Sequence, residues 1–358
     1  MSAHEAHLRR ALELATLGLY TTDPNPRVGC VIANAEGVIG EGWHVRAGEP
    51  HAEVLALRAA GSRARGADVY VTLEPCSHTG RTPPCADALI AAGVARVWCC
   101  TSDPNPKVAG SGAERLRAAG IDVSVGALAE EARALNPGFF SRFERRRPYV
   151  RLKLAMSLDA RTAPAQGGQV WISGEASRAD VQTWRARSSA VLTGSGTVRC
   201  DNPHLNVRLN YGPWVRQPLR VVLDSELHLS PDANVFSGGG AVRFAAIDAQ
   251  GAGDSNVERV PRAAGGLDLD AVVTRLAALE INELMLECGA SLAGGFLAKG
   301  LVDEIVLYMA PSLMGEDAAP LARLHPSGAA AELTQAFAFS DVRTIGDDVR
   351  LVLTSRKQ

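Results

Sequence analysis

The alternation of short apolar runs with helical stretches constrains this chain most, because it runs through the sequence twice and breaks once. Up to about Gly126 the apolar runs Val28–Ala33, Val38–Trp43, Val69–Leu73, Val97–Thr101 and Val123–Val125 read as strands. Helices are expected at His51–Ala60, Cys85–Ala92 and Gly112–Ala119, the last two stopped by Gly93 and Gly120. Glu130–Leu135 also reads as helical. Asn136, Pro137 and Gly138 are expected to break it, and the basic run Arg142–Arg147 ends at Pro148. A domain boundary is therefore placed at about residue 146, giving domains 1–146 and 147–358. A length of 358 residues suits that division.

The second series opens at once. Strands are expected at Tyr149–Met156, Val191–Thr193, Leu219–Asp224, Val242–Ile247, Leu284–Glu287, Glu304–Ala310 and Val349–Thr354. Helices are expected at Ser177–Arg187 and Asp270–Leu279. Both halves thus read as α/β layered domains. Hydrophobic residues at 46% against 21% charged supply two separate cores. No apolar run reaches membrane-span length, and Met1–Leu19 reads as an amphipathic helix rather than a secretory signal. The expected compartment is the cytoplasm, where the seven cysteines stay reduced. A formal net charge of −2 argues against a nucleic-acid partner, and no membrane partner is expected.

Two of those cysteines have a chemical use. His51 opens a helix, Cys76 follows a strand, and Cys85 opens the next helix. One imidazole and two thiolates leave tetrahedral Zn²⁺ a single position for water. Glu53, two residues from the histidine, is the carboxylate placed to move that water's proton to a departing amine. The order H-x-E followed by Pro-Cys and a second Cys is that of zinc nucleobase deaminases, although eight residues rather than two separate the cysteines here. A closed structural site would need a fourth ligand, for which His78 is the candidate, and it would leave Glu53 without a role. In the second half, the glycine-rich turn Gly289–Gly295 follows a strand and suits a phosphate at a helix N-terminus. It matches neither the Rossmann fingerprint nor a Walker loop.

The stretches Thr22–Cys30, Gly48–Glu53 and Thr72–Cys85, the last ending Gly-Arg-Thr-Pro-Pro-Cys, resemble the RibD family of bifunctional riboflavin-biosynthesis deaminase–reductases. Leu152–Thr162, Thr197–Pro203 and Glu287–Gly289 resemble the same family's second domain. The resemblance implies a cytidine-deaminase-like three-layer domain followed by a dihydrofolate-reductase-like domain, with Zn²⁺ and NADPH as cofactors. It implies hydrolytic deamination of a phosphoribosylaminopyrimidine and then reduction of its ribosyl group to ribityl. Zinc would be held by His51, Cys76 and Cys85, with Glu53 catalytic. Substrate contacts are implied at Asn25, His44, Arg81, Asp103 and Asn105 in the first half. In the second they fall on Lys153, Gln169, Arg185, Leu205, Arg208 and Glu287, with Arg185 and Arg208 clamping the ribose phosphate. NADPH contacts are implied at Ala155, Trp171, Thr197, Asp201 and Ser225, and at Gly289, Ala290, Ser291, Leu292, Ala293, Gly294 and Gly295. A small-molecule substrate and a homo-oligomer are expected. Two alternatives differ in what they require: a tRNA deaminase would want a basic surface, and a nucleotide-sensing protein would not need Glu53 intact.

Overall fold

The computed structural model describes residues 2–77, 84–164, 170–210, 212, 215–250, 256–263, 265–324 and 337–356. The chain falls into two compact units, Met1–Arg146 and Arg147–Gln358.

In the first unit, β1 (Gly29–Asn34), β2 (Gly37–Trp43), β3 (Asp68–Val71), β4 (Arg96–Cys99) and β5 (Asp122–Val125) form a sheet of order β2-β1-β3-β4-β5. β1 is antiparallel to both β2 and β3, whereas β3, β4 and β5 run parallel. Successive side chains of a strand point to opposite faces. Cys30 and Ile32 accordingly pack against α2 (Ala52–Ala60), α3 (Cys85–Ala92) and α4 (Ser111–Ala118). Val31 and Ala33 meet α1 (Ala3–Thr16) and α5 (Ala129–Leu135) on the other face. The result is three layers. Two glycines allow one of them: a Cβ on Gly40 would lie 2.4 Å from the Ala56 carbonyl oxygen, and one on Gly42 would lie 2.5 Å from that of Ala52. Only side-chain-free positions on β2 let α2 settle this close, and α2 carries the residues expected to bind and use the metal.

The expected break at 136–138 proves to be a new start. α6 (Pro137–Glu144) begins directly after α5, with Asn136 as its N-cap and Pro137 in its first turn. Proline stops a helix that must donate its N–H, but at the first helical position that N–H has no intrahelical partner to lose. The helix also takes in part of the basic run.

In the second unit the main sheet comprises β6 (Tyr149–Met156), β7 (Ala190–Gly194), β8 (Leu219–Leu223), β9 (Ala241–Ala246), β10 (Val257–Val260), β11 (Glu283–Leu286), β12 (Glu304–Met309), β13 (Phe337–Ile345) and β14 (Asp348–Ser355). Among the described residues its order is β10-β9-β8-β7-β11-β6-β12-β14-β13. The strands from β10 to β12 are parallel, and β14 and β13 add an antiparallel edge. Leu152, Leu192, Leu284 and Leu286 pack on one face with α9 (Leu269–Ala278) and α10 (Ala290–Ala298). Val191, Met285 and Tyr308 pack on the other with α7 (Glu175–Arg187) and α8 (Ser195–Asp201). Strands β10 and β13 and helix α8 have no counterpart among the expected elements. The apolar residues of β13 are interrupted by Ser340, Asp341, Arg343 and Thr344, and Phe339 and Val342 are exposed, so the strand lacks a continuous apolar run.

Candidate active sites

In the first unit two helix starts and one strand end converge. His51 is the N-cap of α2 and Cys85 the first residue of α3. Cys76 lies in the segment after β3, where its sulfur accepts the Cys85 N–H (3.3 Å) and its carbonyl accepts the Ala86 N–H (3.1 Å). His51 Nδ1 sits 3.2 Å from Cys85 Sγ and 3.6 Å from Cys76 Sγ, and the three ligand atoms all lie within 4.8 Å of one another. A tetrahedral ion with ordinary Zn–N and Zn–S bonds spaces a nitrogen and a sulfur by about 3.6 Å. The donor set and its spacing therefore fit zinc. The hydrogen bond from Cys85, with His51 alongside, pulls the Cys76 thiol down to about 4, and the Cys76 sulfur pushes Cys85 up in return.

Glu53 is in the first turn of α2 and only 3% exposed. Burial pushes its carboxyl above the ordinary value, against the pull of His51. A carboxyl so placed can take up a proton and pass it on.

Around this cluster stand the expected substrate contacts. The His44 and His51 rings meet edge to face with centroids 5.1 Å apart. Asn25 Nδ2 is 3.0 Å from His44 Nε2, and His44 Nδ1 is 3.3 Å from the Pro50 carbonyl oxygen. Both bonds are satisfied when the ring proton is on Nδ1. Burial, followed by His51, holds the His44 ring down to about 4, so it stays neutral. Asp103 is buried, and burial pushes its carboxyl up to about 7 although the Asn105 N–H (2.8 Å to Oδ1) favours the ionised form. Arg81 and His78 lie outside the described residues.

One residue that holds this arrangement was read only as a helix breaker. The buried Asn136 side chain accepts the Arg27 N–H (2.8 Å) and donates to the Arg27 carbonyl oxygen (2.9 Å), while Arg27 Nη1 reaches the Leu135 carbonyl oxygen (2.7 Å). This clasp fixes the segment bearing Asn25. The partners are 109 positions apart, and no local sequence signal joins them.

In the second unit the site forms at the C-terminal edge of the parallel strands, where such sheets bind ligands. Leu286 of β11 is in register with Leu152 of β6, so the next residues, Glu287 and Lys153, are neighbours on the face covered by α7. Arg185 on α7 grips Glu287 through two bonds (Nε–Oε1 2.5 Å, Nη2–Oε2 3.0 Å), and its Nη1 donates to the Asn206 carbonyl oxygen (2.9 Å). Burial pushes the Glu287 carboxyl up, but Arg185, Lys153 and Arg208 outweigh it and hold the group ionised. Burial pulls Lys153 down, opposed by Glu287. Of the two arginines expected to clamp the phosphate, Arg185 has its guanidinium engaged on both edges by Glu287 and Asn206. Arg208 is exposed, and its backbone N–H rests on Gln182 Oε1 (2.9 Å). Leu205 is buried nearby in sequence with φ 53.

The expected turn Gly289–Gly295 is also different in kind. Gly289 is the N-cap of α10, and Ala290–Ala298 are already helical. A Cβ on Gly294 would lie 1.9 Å from the Arg323 carbonyl oxygen, so that glycine serves helix packing. Ala293 donates its N–H to the Gly289 carbonyl oxygen (3.1 Å). The N–H groups of Gly289, Ala290, Ser291 and Leu292 precede the helical ladder and point out of the start of α10. A Cβ on Gly289 would come 3.9 Å from Thr197 Oγ1, and one on Gly194 would come 3.3 Å from Leu292. The starts of α8 and α10 are thus side by side. Ala155 is half-buried in β6, Ser225 follows β8, and Asp201 ends α8 on the surface. Trp171 is 63% exposed, with the Arg178 guanidinium 5.0 Å above its ring. Gln169 lies outside the described residues.

A proton-carrying carboxyl beside an imidazole and two thiols is the equipment for hydrolytic loss of an amine, and two helix starts at a parallel-sheet edge suit a dinucleotide. Together they define a two-site enzyme of the zinc deaminase and reductase class. Residues 1–101 match the family model described as the cytidine and deoxycytidylate deaminase zinc-binding region, and residues 148–351 match the RibD C-terminal domain. The riboflavin biosynthesis protein RibD of Escherichia coli is 48% identical over 98% of this chain and 98% of its own length. That of Haemophilus influenzae is 43% identical over 98% and 96%. An Acinetobacter baumannii RibD structure superposes with a TM-score of 0.90 at 41% identity, covering 99% of both chains. A Thermotoga maritima structure described as a diaminohydroxyphosphoribosylaminopyrimidine deaminase/5-amino-6-(5-phosphoribosylamino)uracil reductase gives 0.84 at 32% identity, covering 98% of both. The chain belongs to the RibD family, bifunctional deaminase–reductases of riboflavin biosynthesis that use zinc and NADPH. No described helix is long and apolar enough to cross a membrane.

Proposed function

We propose that residues 1–146 hydrolyse the 2-amino group from 2,5-diamino-6-ribosylamino-4(3H)-pyrimidinone 5′-phosphate, giving 5-amino-6-(5-phosphoribosylamino)uracil and ammonia. Residues 147–358 then reduce its ribosyl group to ribityl with NADPH. The observation that carries the first half is the meeting of His51, Cys76 and Cys85 within 4.8 Å beside buried Glu53.

His51, Cys76 and Cys85 would hold zinc, which would supply a Lewis acid able to lower the pKa of water to ~7. Glu53 accepts a proton from the attacking water at its carboxyl and returns it to the departing amine. Neutral His44 fixes the Asn25 amide through its Nε2, which leaves the Asn25 oxygen to accept from the pyrimidine edge. Asp103 and Asn105 offer further polar contacts, and Arg81 is assigned to the phosphate by family resemblance.

In the reductase half NADPH supplies a hydride for C1′ of the sugar. The start of α10, Gly289, Ala290, Ser291, Leu292, Ala293, Gly294 and Gly295, would hold its phosphates, with Ala155, Trp171, Thr197, Asp201 and Ser225 as the remaining cofactor contacts. Arg185 keeps Glu287 ionised and fixed, so that Glu287 and Lys153 orient the sugar hydroxyls. Arg208 takes the substrate phosphate, and Gln169 and Leu205 complete the contacts. A cytoplasmic location, where thiols stay reduced, is part of this reading. A homo-oligomer belongs to the same reading, and sedimentation analysis tests it.

The diaminopyrimidine substrate should release ammonia and then oxidise NADPH in one sample of zinc-loaded protein. Ammonia release without NADPH oxidation would remove the second activity, and absence of both would overturn the reading.

A further inference from the structure

Glu74 lies two residues before the Cys76 ligand and is 4% exposed, yet no charged side chain among the described residues pairs with it. Its carboxylate instead collects four backbone N–H groups. Oε2 accepts from Asp103 (3.2 Å) and Gly110 (3.0 Å), and Oε1 from Gly112 (3.0 Å) and Ala113 (3.1 Å). Its own N–H donates to the Thr101 carbonyl oxygen (3.0 Å). A carboxylate has about four acceptor sites, so the group is saturated and has none left for substrate.

Every donor belongs to the segment 103–113, which begins with the expected pyrimidine contacts and runs into α4. Neighbouring contacts repeat the connection. A Cβ on Gly112 would sit 1.9 Å from the Pro75 carbonyl oxygen, Ser77 Oγ lies 2.5 Å from Ser111 Oγ, and Arg115 Nη1 donates to the Ser77 carbonyl oxygen (3.3 Å). The Asp103 carboxylate then holds the Asn105 N–H (2.8 Å). One buried side chain thus sets the spacing between a metal ligand and the substrate-facing loop.

We propose that Glu74 is a positioning residue of the deaminase, acting through the Asp103–Asn105 loop to hold the pyrimidine over the metal centre. The proposal rests on the reading of Asp103 and Asn105 as substrate contacts. In Glu74→Gln one oxygen still accepts two N–H groups, while the new NH₂ faces the other two donors and must push them away. A displacement of that kind near the reacting atoms costs about tenfold to hundredfold in substrate use.

The test uses the full chain with Glu74→Gln, Glu74→Asp, Asn105→Ala and the double variant Glu74→Gln/Asn105→Ala. Zinc per chain and reductase kcat/KM report integrity, and deaminase KM and kcat report the effect. We expect Glu74→Gln to raise deaminase KM about tenfold or more, with kcat changed much less and with zinc and reductase activity unaltered. Glu74→Asp, which keeps all four acceptor sites on a shorter arm, should show a smaller rise and decides the matter if the Gln variant does not fold. The double variant should be no worse than the worse single one, since both act through one loop. If Asn105→Ala raises KM and neither Glu74 variant does, the positioning role is overturned while the loop reading stands. An unchanged KM in Asn105→Ala overturns the loop reading and the proposal with it.

Discussion

Replacing Glu53 by Gln keeps the volume of a side chain that is 3% exposed and removes its capacity to hold a proton. The zinc ligands are untouched, because the three-atom cluster consists of His51, Cys76 and Cys85. A positioned general acid–base group contributes about 10²–10⁴-fold to rate. Glu53 serves two transfers, from water and to the amine, which favours the upper part of that range. At about 1.4 kcal/mol per decade, a loss of ~10³–10⁴ raises the barrier by roughly 4–5.5 kcal/mol. Substrate recognition rests on other residues, so KM should change little. The assay is steady-state ammonia release by protein of measured zinc content. NADPH oxidation with the deaminated substrate, catalysed by the other unit of the same chain, serves as internal control. A variant that carries zinc and turns over within about tenfold of the parent would show that Glu53 is not the proton carrier.

Two further outcomes follow from the geometry. Arg208→Ala should raise the reductase KM by about tenfold to hundredfold through loss of a charge-assisted phosphate contact, and ammonia release should be untouched; equal impairment of both activities would contradict two separate sites. Asn136→Ala removes both bonds of the Arg27 clasp, at about 1–3 kcal/mol each, and should lower the melting temperature of the first unit by several degrees in calorimetry. An unchanged transition would mean that the clasp contributes nothing to stability.

The metal-binding half was readable because its chemistry sits at junctions with strong local signals. His51 and Cys85 each mark a strand-to-helix passage, and the structure starts α2 and α3 at those residues. The reductase half was harder to read for a physical reason. Its polar residues come one at a time from β6, α7, β11 and the loop at 205–208, and none forms a local pattern. Where local signals misled, a tertiary partner or a positional rule outweighed them. Pro137 began a helix instead of ending one, and Gly294 packs against a carbonyl contributed by residue 323.

What the sequence determined alone was the class of each layer and the donor set His51, Cys76 and Cys85, which the fold brings within 4.8 Å, since these follow from periodicity and from donor chemistry. The tertiary structure decided which charges are free to act. Arg185 and Arg208 look alike in the chain, but burial against Glu287 engages one and leaves the other exposed. Glu74 and Asn136 likewise acquire their roles only when backbone donors 29 to 109 positions away fold onto them. Hydrogen bonds act over about 3 Å of space regardless of distance along the chain, so a local pattern can name the chemistry while folding assigns the partners.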